Sequence, residues 1–216
     1  MRARHCIAAL LVAGVTAATP GVAATGPTDG GVWNFRVMLD GEPVGWHRYV
    51  VRRDGAETEV ESRASFDVRF LFINAYRYRH EARERWRGTC LDTLESRTET
   101  NGEVEEVEAA ALGDALLVAG PAGDARLPGC VMSFAYWDPR ILGATRLLNS
   151  QTGELLPVSF ADRGTEVVDL SGRAVRATRH RLSAPGLQID LWYSDGRWVA
   201  LEAPTPGGRI LRYELE

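Results

Sequence analysis

The sequence predicts a mainly β protein: a strongly curved antiparallel sheet, half-barrel or barrel-like, of about a dozen strands, with one short helix near residues 139–148. Three observations predict it. Polar and apolar residues alternate with a period of two over long stretches, which is the pattern of strands with one wet face. Asp-Gly and Asn-Gly dipeptides punctuate those stretches where hairpins would turn. Helical spacing is sustained in one stretch alone, within FAYWDPRILGATRLLNSQTGE.

The chain opens with MRARHCIAALLVAGVTAATPGVAATG. Arg2 and Arg4 precede an apolar run from about Ile7 to Val15 and then the small residues Val22, Ala23 and Ala24. That three-part layout is a secretory signal peptide, with cleavage expected after Ala24 and Ala23 the runner-up. The run is shorter than the roughly 20 residues a bilayer span needs, and no later stretch is long and apolar enough for a membrane helix. Cys6 lies too early to be a lipidated cysteine at the cleavage site. Residues 1–24 are thus read as a signal peptide and 25–216 as one exported β-rich domain that does not span the membrane.

At 45% hydrophobic and 25% charged residues, the composition is that of an ordinary globular protein. All 25 basic side chains are arginine, and losing Arg2 and Arg4 moves the net charge from −4 to −6. A negative total argues against nucleic acid as a partner. Cys90 and Cys130 survive cleavage, and an even count in an oxidising compartment points to a disulfide. A metal pair or a thiol-redox site would call for a CxxC or nearby His/Cys ligands, which the sequence lacks, so no metal and no cofactor are expected.

The strands follow in order. WNFRVML runs to Asp40-Gly41, and WHRYVVRR to Asp54-Gly55. In 57–72, ETEVESRASFDVRFLF, one face carries Thr58, Val60, Ser62, Ala64, Phe66, Val68, Phe70 and Phe72, so a long strand with a bend is expected. In AYRYRHEARERWR the matching face holds Tyr76, Tyr78, His80, Ala82, Glu84 and Trp86, and the other is rich in Arg. Interleaved Arg and Glu on a strand face read as solvated cross-strand pairs rather than an anion site. LESRTET turns at Asn101-Gly102, and the glycine-rich AGPAGDARLPG interrupts the chain before Cys130. After the helical stretch come LLPVSF, TEVVDL, RAVRATRHRL, LQIDLWY, RWVALE and RILRYELE, with turns at Asp195-Gly196 and Pro206-Gly207-Gly208. Hairpin-linked strands of this number imply a sheet, sandwich or barrel whose aromatic face needs a cover.

The cover is expected at the helical stretch. Asp138 before Pro139 is a helix start. Ile141, Leu142, Thr145 and Leu148 then fall along one stripe, and Asn149 can end it. So short a helix is marginal alone and must lean on the sheet, with Phe134, Tyr136 and Trp137 as anchors. It is read either as a core-filling element or as a gate over an apolar pocket.

The blocks RVMLDGEPVGWHRY, YRYRHEARERWRG, FAYWDP and DLWYSDGRWVALE resemble an uncharacterised family of Gram-negative exported proteins, catalogued as a domain of unknown function, over roughly Trp33 to Leu215. A more distant likeness, through Gly41-Glu42-Pro43-Val44-Gly45, the Asp-Pro helix and the C-terminal Leu-Trp strand, is to curved-sheet envelope proteins similar in outline to lipoprotein carriers. The resemblance implies a periplasmic envelope role and an apolar ligand, and it supplies no catalytic residues; fold alone does not fix function.

The residues expected to line a ligand site are Phe66, Phe70, Phe72, Tyr76, Tyr78 and Trp86, joined by Tyr136, Trp137 and Trp192. His80 and Tyr78 would orient the ligand, with Arg140 or Arg146 as an anion contact. As a general base His80 would need a carboxylate from another strand, because Glu84, four residues along the same strand, is about 13 Å away. The chain has no Gly-x-Ser-x-Gly elbow, no His-Glu-x-x-His and no phosphate loop. The acidic run at Glu103–Glu108 lacks the ligand spacing of a calcium loop. Three readings follow in order: a periplasmic protein binding a lipid or other apolar molecule, an envelope assembly module that binds a protein partner, and an envelope enzyme of unrecognised type.

Overall fold

The computed structural model describes residues 30–70, 73–205 and 207–216, and the side chains of residues 69–75 lie outside that description. Nearly all of the regular structure in the described chain is strand. Successive hairpins build β1 (Gly31–Leu39), β2 (Glu42–Asp54), β3 (Glu57–Phe70), β4 (Ile73–Arg87), β5 (Cys90–Thr100), β6 (Glu103–Leu112), β7 (Ala115–Ala119) and β8 (Ala125–Pro128). A second run follows the central stretch: β11 (Ser159–Leu170), β12 (Arg173–Ala184), β13 (Leu187–Ser194), β14 (Arg197–Pro204) and β15 (Ile210–Leu215). Between them lie the small strands β9 (Arg146–Leu148) and β10 (Leu155–Pro157).

The two runs join into one antiparallel sheet of 13 strands, because β15 pairs with β1 at Phe35↔Leu215 through Leu39↔Leu211. The edges are β8 and β11, and among the described residues no pairing joins them, so the barrel is not closed. Hairpin turns form where Asp-Gly and Asn-Gly predict them. Asp40 and Gly41 both hold positive φ (52° and 85°), as do Asn101 and Gly102 (54° and 94°), a geometry whose twist matches that of the flanking strands. Register shifts interrupt the ladders at Val37/Met38, Val68/Arg69, Arg85/Trp86, Asp162/Thr165 and Trp192/Tyr193. Such bulges sharpen twist and let a long sheet curl.

The sheet curls round one core that draws on both runs, including Phe35, Trp86, Leu94, Leu182, Leu191 and Trp198. The predicted faces of β3 and β4 are observed: Val60, Ala64 and Phe66 are buried with Tyr78, Ala82 and Trp86, while Arg and Glu alternate outside. Outside, Arg52–Glu61 (2.8 Å) and Arg97–Glu106 (3.0 Å) are exposed cross-strand pairs. The glycine-rich stretch read as an interruption contains β8, which pairs with β7. LLPVSF and TEVVDL are divided differently from the expectation: β10 ends at Pro157, and β11 runs through a bulge at Asp162–Thr165 to Leu170.

The expected helix over 139–148 is present only as a single five-residue 3-10 helix, Pro139–Gly143. Its start is as read: the Asp138 carboxylate accepts from the Arg140 backbone N–H (3.0 Å), and Pro139 occupies the first turn. From Ala144 the backbone turns extended, and Leu147 and Leu148 pair with Leu156 and Leu155. Both leucines are fully buried. Consecutive residues buried together need opposite faces covered, which a strand between two layers provides and a one-stripe helix does not. Residues 131–158 thus form a plug inside the curl. It is tied to the wall by the Cys90–Cys130 disulfide and by the Leu91 N–H donating to the Val131 carbonyl (2.8 Å).

Candidate functional site

The interior divides into two parts. At the plugged end the space is nearly full. Trp137 packs edge-on to Trp86 with centroids 5.6 Å apart, and Tyr136 meets Trp198 at 5.3 Å. The Tyr193 hydroxyl donates to the Tyr136 carbonyl (2.8 Å). What remains there is a small chamber of about 30 Å³, walled by Tyr49, Ser62, His80, Glu84 and Ser133 among others. That is room for a water and little more.

The chamber's polar groups are partnered. The Ser133 hydroxyl (2.8 Å) and the Trp86 indole N–H (2.9 Å) both donate to the Glu84 carboxylate. Burial pushes the Glu84 carboxyl above its usual range, and those two hydrogen bonds oppose it. His80 Nδ1 lies 2.9 Å from the Thr98 hydroxyl, and burial lowers its pKa to about 4. His47 Nε2 lies 2.8 Å from Ser62 Oγ and Nδ1 3.4 Å from the Tyr213 hydroxyl. Burial, and then His80, hold His47 well below the usual histidine range. The register explains the grouping, because His47, Ala64 and His80 stand opposite one another on β2, β3 and β4. His80's partner is a threonine, and the chamber's carboxylate, Glu84, is engaged by Ser133 and Trp86, so among the described residues no carboxylate is paired with His80 as a general base would need.

At the other end the curl opens into a recess of about 700 Å³. Its wall comes from both runs of strands: Phe66 and Val68 of β3, Tyr76 and Tyr78 of β4, Leu187 of β13, and Leu211 and Tyr213 of β15. The plug's Gln151 reaches it, and Arg209 stands at its rim with Nε donating to Asp40 (2.6 Å). Phe66 and Tyr78 stack at 5.0 Å, and Tyr76 stacks on Tyr78 at 6.4 Å. Among the described residues Arg209 is the only charged side chain on this wall.

The expected site residues therefore divide. Phe66, Tyr76 and Tyr78 line the recess, while His80 and Trp137 border the small chamber. Trp86 and Tyr136 are packed in the plugged core. Arg140 lies away from the recess, with its guanidinium held on the Asp138 carboxylate (Nε, 2.9 Å). Arg146 is exposed at the start of β9. Trp192 does not join the wall. It is buried on β13 away from the recess, with Arg179 and Arg212 over its ring at 5.1 and 5.7 Å and its indole N–H donating to Glu166 (2.7 Å). Phe72 and the Phe70 side chain lie outside the described residues.

His47, Tyr213, Leu211 and Leu187 were missing from the sequence reading. Alternation in RILRYELE places Leu211 and Tyr213 on one face, but nothing local says that the last strand closes against β1. No helix among the described residues is long and apolar enough to cross a membrane.

Among curated proteins none matches the chain. Among solved structures, a β-barrel-like protein of the domain of unknown function DUF1849 from Brucella abortus is similar, with TM-score 0.65 at 11% identity over 86% of this chain and 95% of that one. At that identity the likeness concerns the fold alone. The family described as Domain of unknown function (DUF6134) matches residues 35–216, and the chain belongs to it.

Proposed function

We propose that the protein is exported to the periplasm and binds a lipid or other apolar molecule in the open recess. The observation that carries the reading is the recess itself: about 700 Å³, walled by aromatic and aliphatic side chains from both runs of strands. That volume falls within the range of small-molecule sites, and an apolar wall facing water gains when a ligand covers it. The site differs from the one expected under the helix, where the plug fills the space.

Native mass spectrometry of the purified protein, with uptake of a fluorescent fatty acid, tests the reading. A co-purifying lipid, or saturable uptake abolished by Val68→Trp, supports it. Empty spectra and no uptake favour the second reading, an envelope assembly module. One feature favours that alternative: β11 is an edge strand with Val167 69% exposed.

A further inference from the structure

All six tyrosines of the chain are accounted for inside the curl, and five of their phenols gather between the chamber and the recess. Burial raises each of them above the ordinary phenol range. Proximity adds to it: Tyr49, Tyr76, Tyr78 and Tyr136 all raise Tyr213, and Tyr76 and Tyr136 raise Tyr78. Exposure falls along β4 from Tyr76 (37%) to Tyr78 (9%), and Tyr213 is 8% exposed, so Tyr78 and Tyr213 stand deep in the recess and Tyr76 near its mouth. The Tyr213 hydroxyl has His47 Nδ1 behind it at 3.4 Å. Tyr78 is on the wall of the recess, and among the described residues no side chain hydrogen-bonds its hydroxyl. Facing the recess, that hydroxyl is reached by water when the recess is empty; a ligand that displaces the water without accepting from the phenol leaves the donor unpaired, and one whose oxygen accepts does not.

Among the described residues the deep end offers hydrogen-bond donors and no positive charge. Arg209 is at the rim and already engaged by Asp40. His47 and His80 are neutral near pH 7, since burial lowers both. An ionised head group carried inward would lose its hydration with no cation to replace it. A neutral oxygen loses far less and finds phenol donors.

Resting on the reading of the recess as a ligand site, we propose that it takes an elongated apolar molecule end-on, with a neutral carbonyl oxygen at the buried end accepting from the Tyr78 and Tyr213 hydroxyls. Esters and ketones of long chains are the ligand class; free carboxylates are not.

Displacement of a neutral naphthylamine dye by dodecane, methyl laurate and laurate at pH 7.5, on the full mature protein, tests this. Methyl laurate should displace best. Tyr78→Phe should weaken it about three- to tenfold, the worth of one neutral hydrogen bond, and leave dodecane unchanged. Tyr213→Phe should act in the same direction, and matching circular dichroism of both variants shows them folded. If laurate displaces best, or if Tyr78→Phe leaves methyl laurate unchanged while the dye still binds, the carbonyl assignment is overturned and the recess remains a binding site. If the dye never binds, or binds equally to Val68→Trp, the recess reading itself falls.

Discussion

The plugged and open ends of the same curled sheet are built from similar strands and treated in opposite ways. At the plugged end, residues 131–158 fill the interior until about 30 Å³ remains, and the polar groups trapped there are matched one to another. At the open end the sheet carries an apolar wall, and of the described plug residues Gln151 alone reaches it. A curled sheet has an oily inside along its whole length. The difference shows that one short segment decides which part is filled core and which part is open recess.

Breaking the plugged end should cost stability and leave the recess intact. The largest effect is expected from removing the disulfide. It closes a loop spanning 40 residues and pins the plug where it meets β5. The Cys90→Ala/Cys130→Ala variant should lose about 4 kcal/mol in urea denaturation on the chain-entropy estimate. Dye binding in the recess below the unfolding transition should persist. If binding disappears before unfolding, the two ends are not independent.

Acid should act on the same end. His80 has a pKa of about 4 when folded against an ordinary 6.5. The folded state thus binds fewer protons than the unfolded one between those values. The stabilisation is complete above about pH 6.5 and is lost as pH falls towards 4, to about 3 kcal/mol by linkage. His47 shifts in the same direction. Glu84, raised by burial, works the other way and favours the folded state as pH falls. His80→Asn should flatten the pH dependence of the denaturation midpoint over that window. A curve unchanged by the substitution would place the acid response elsewhere.

How much of this was legible in the sequence depends on the range of the contacts involved. Period-two alternation reports which face of a strand is covered, so Phe66, Tyr78 and Trp86 were read as inward from β3 and β4 alone. Asp138-Pro139 reported a helix start because capping is a local event. The length of that helix was not local. Leu147 and Leu148 leave the helical path because a pairing partner at Leu155 and Leu156 and burial on two sides exist only after the sheet has curled. Trp192 misled for a similar reason: a tryptophan buried under Arg179 and Arg212 is indistinguishable in sequence from one that lines the recess. The recess depends on β15 meeting β1, at opposite ends of the described chain, and His47 joins the interior cluster through the register of three strands. Neither leaves a signal in any one segment.

Filling the open end should give the reverse of breaking the plugged one. Val68 is half-buried beside the recess, so Val68→Trp places a large ring into space that no described residue occupies. Where the free volume already exists, overpacking strain is small, and the expected change in stability is within about 1 kcal/mol. Dye uptake should be lost. A variant that is strongly destabilised would mean that the recess closes in solution.

The outer face supplies the baseline against which both ends are judged. Arg97 and Glu106 stand on neighbouring strands with their charged groups 3.0 Å apart and side chains 52% and 65% exposed. Water screens such a pair and side-chain entropy offsets what attraction remains, so Arg97→Ala should change stability by no more than about 0.5 kcal/mol. The same substitution should leave dye uptake and the acid response of His80 unaltered, since Arg97 lies on the face of β5 opposite Thr98, the residue His80 contacts. A loss well above that size, abolished in a double-mutant cycle with Glu106→Ala, would mean that the arginine ladder outside the curl helps to hold its shape and is more than a solvated surface.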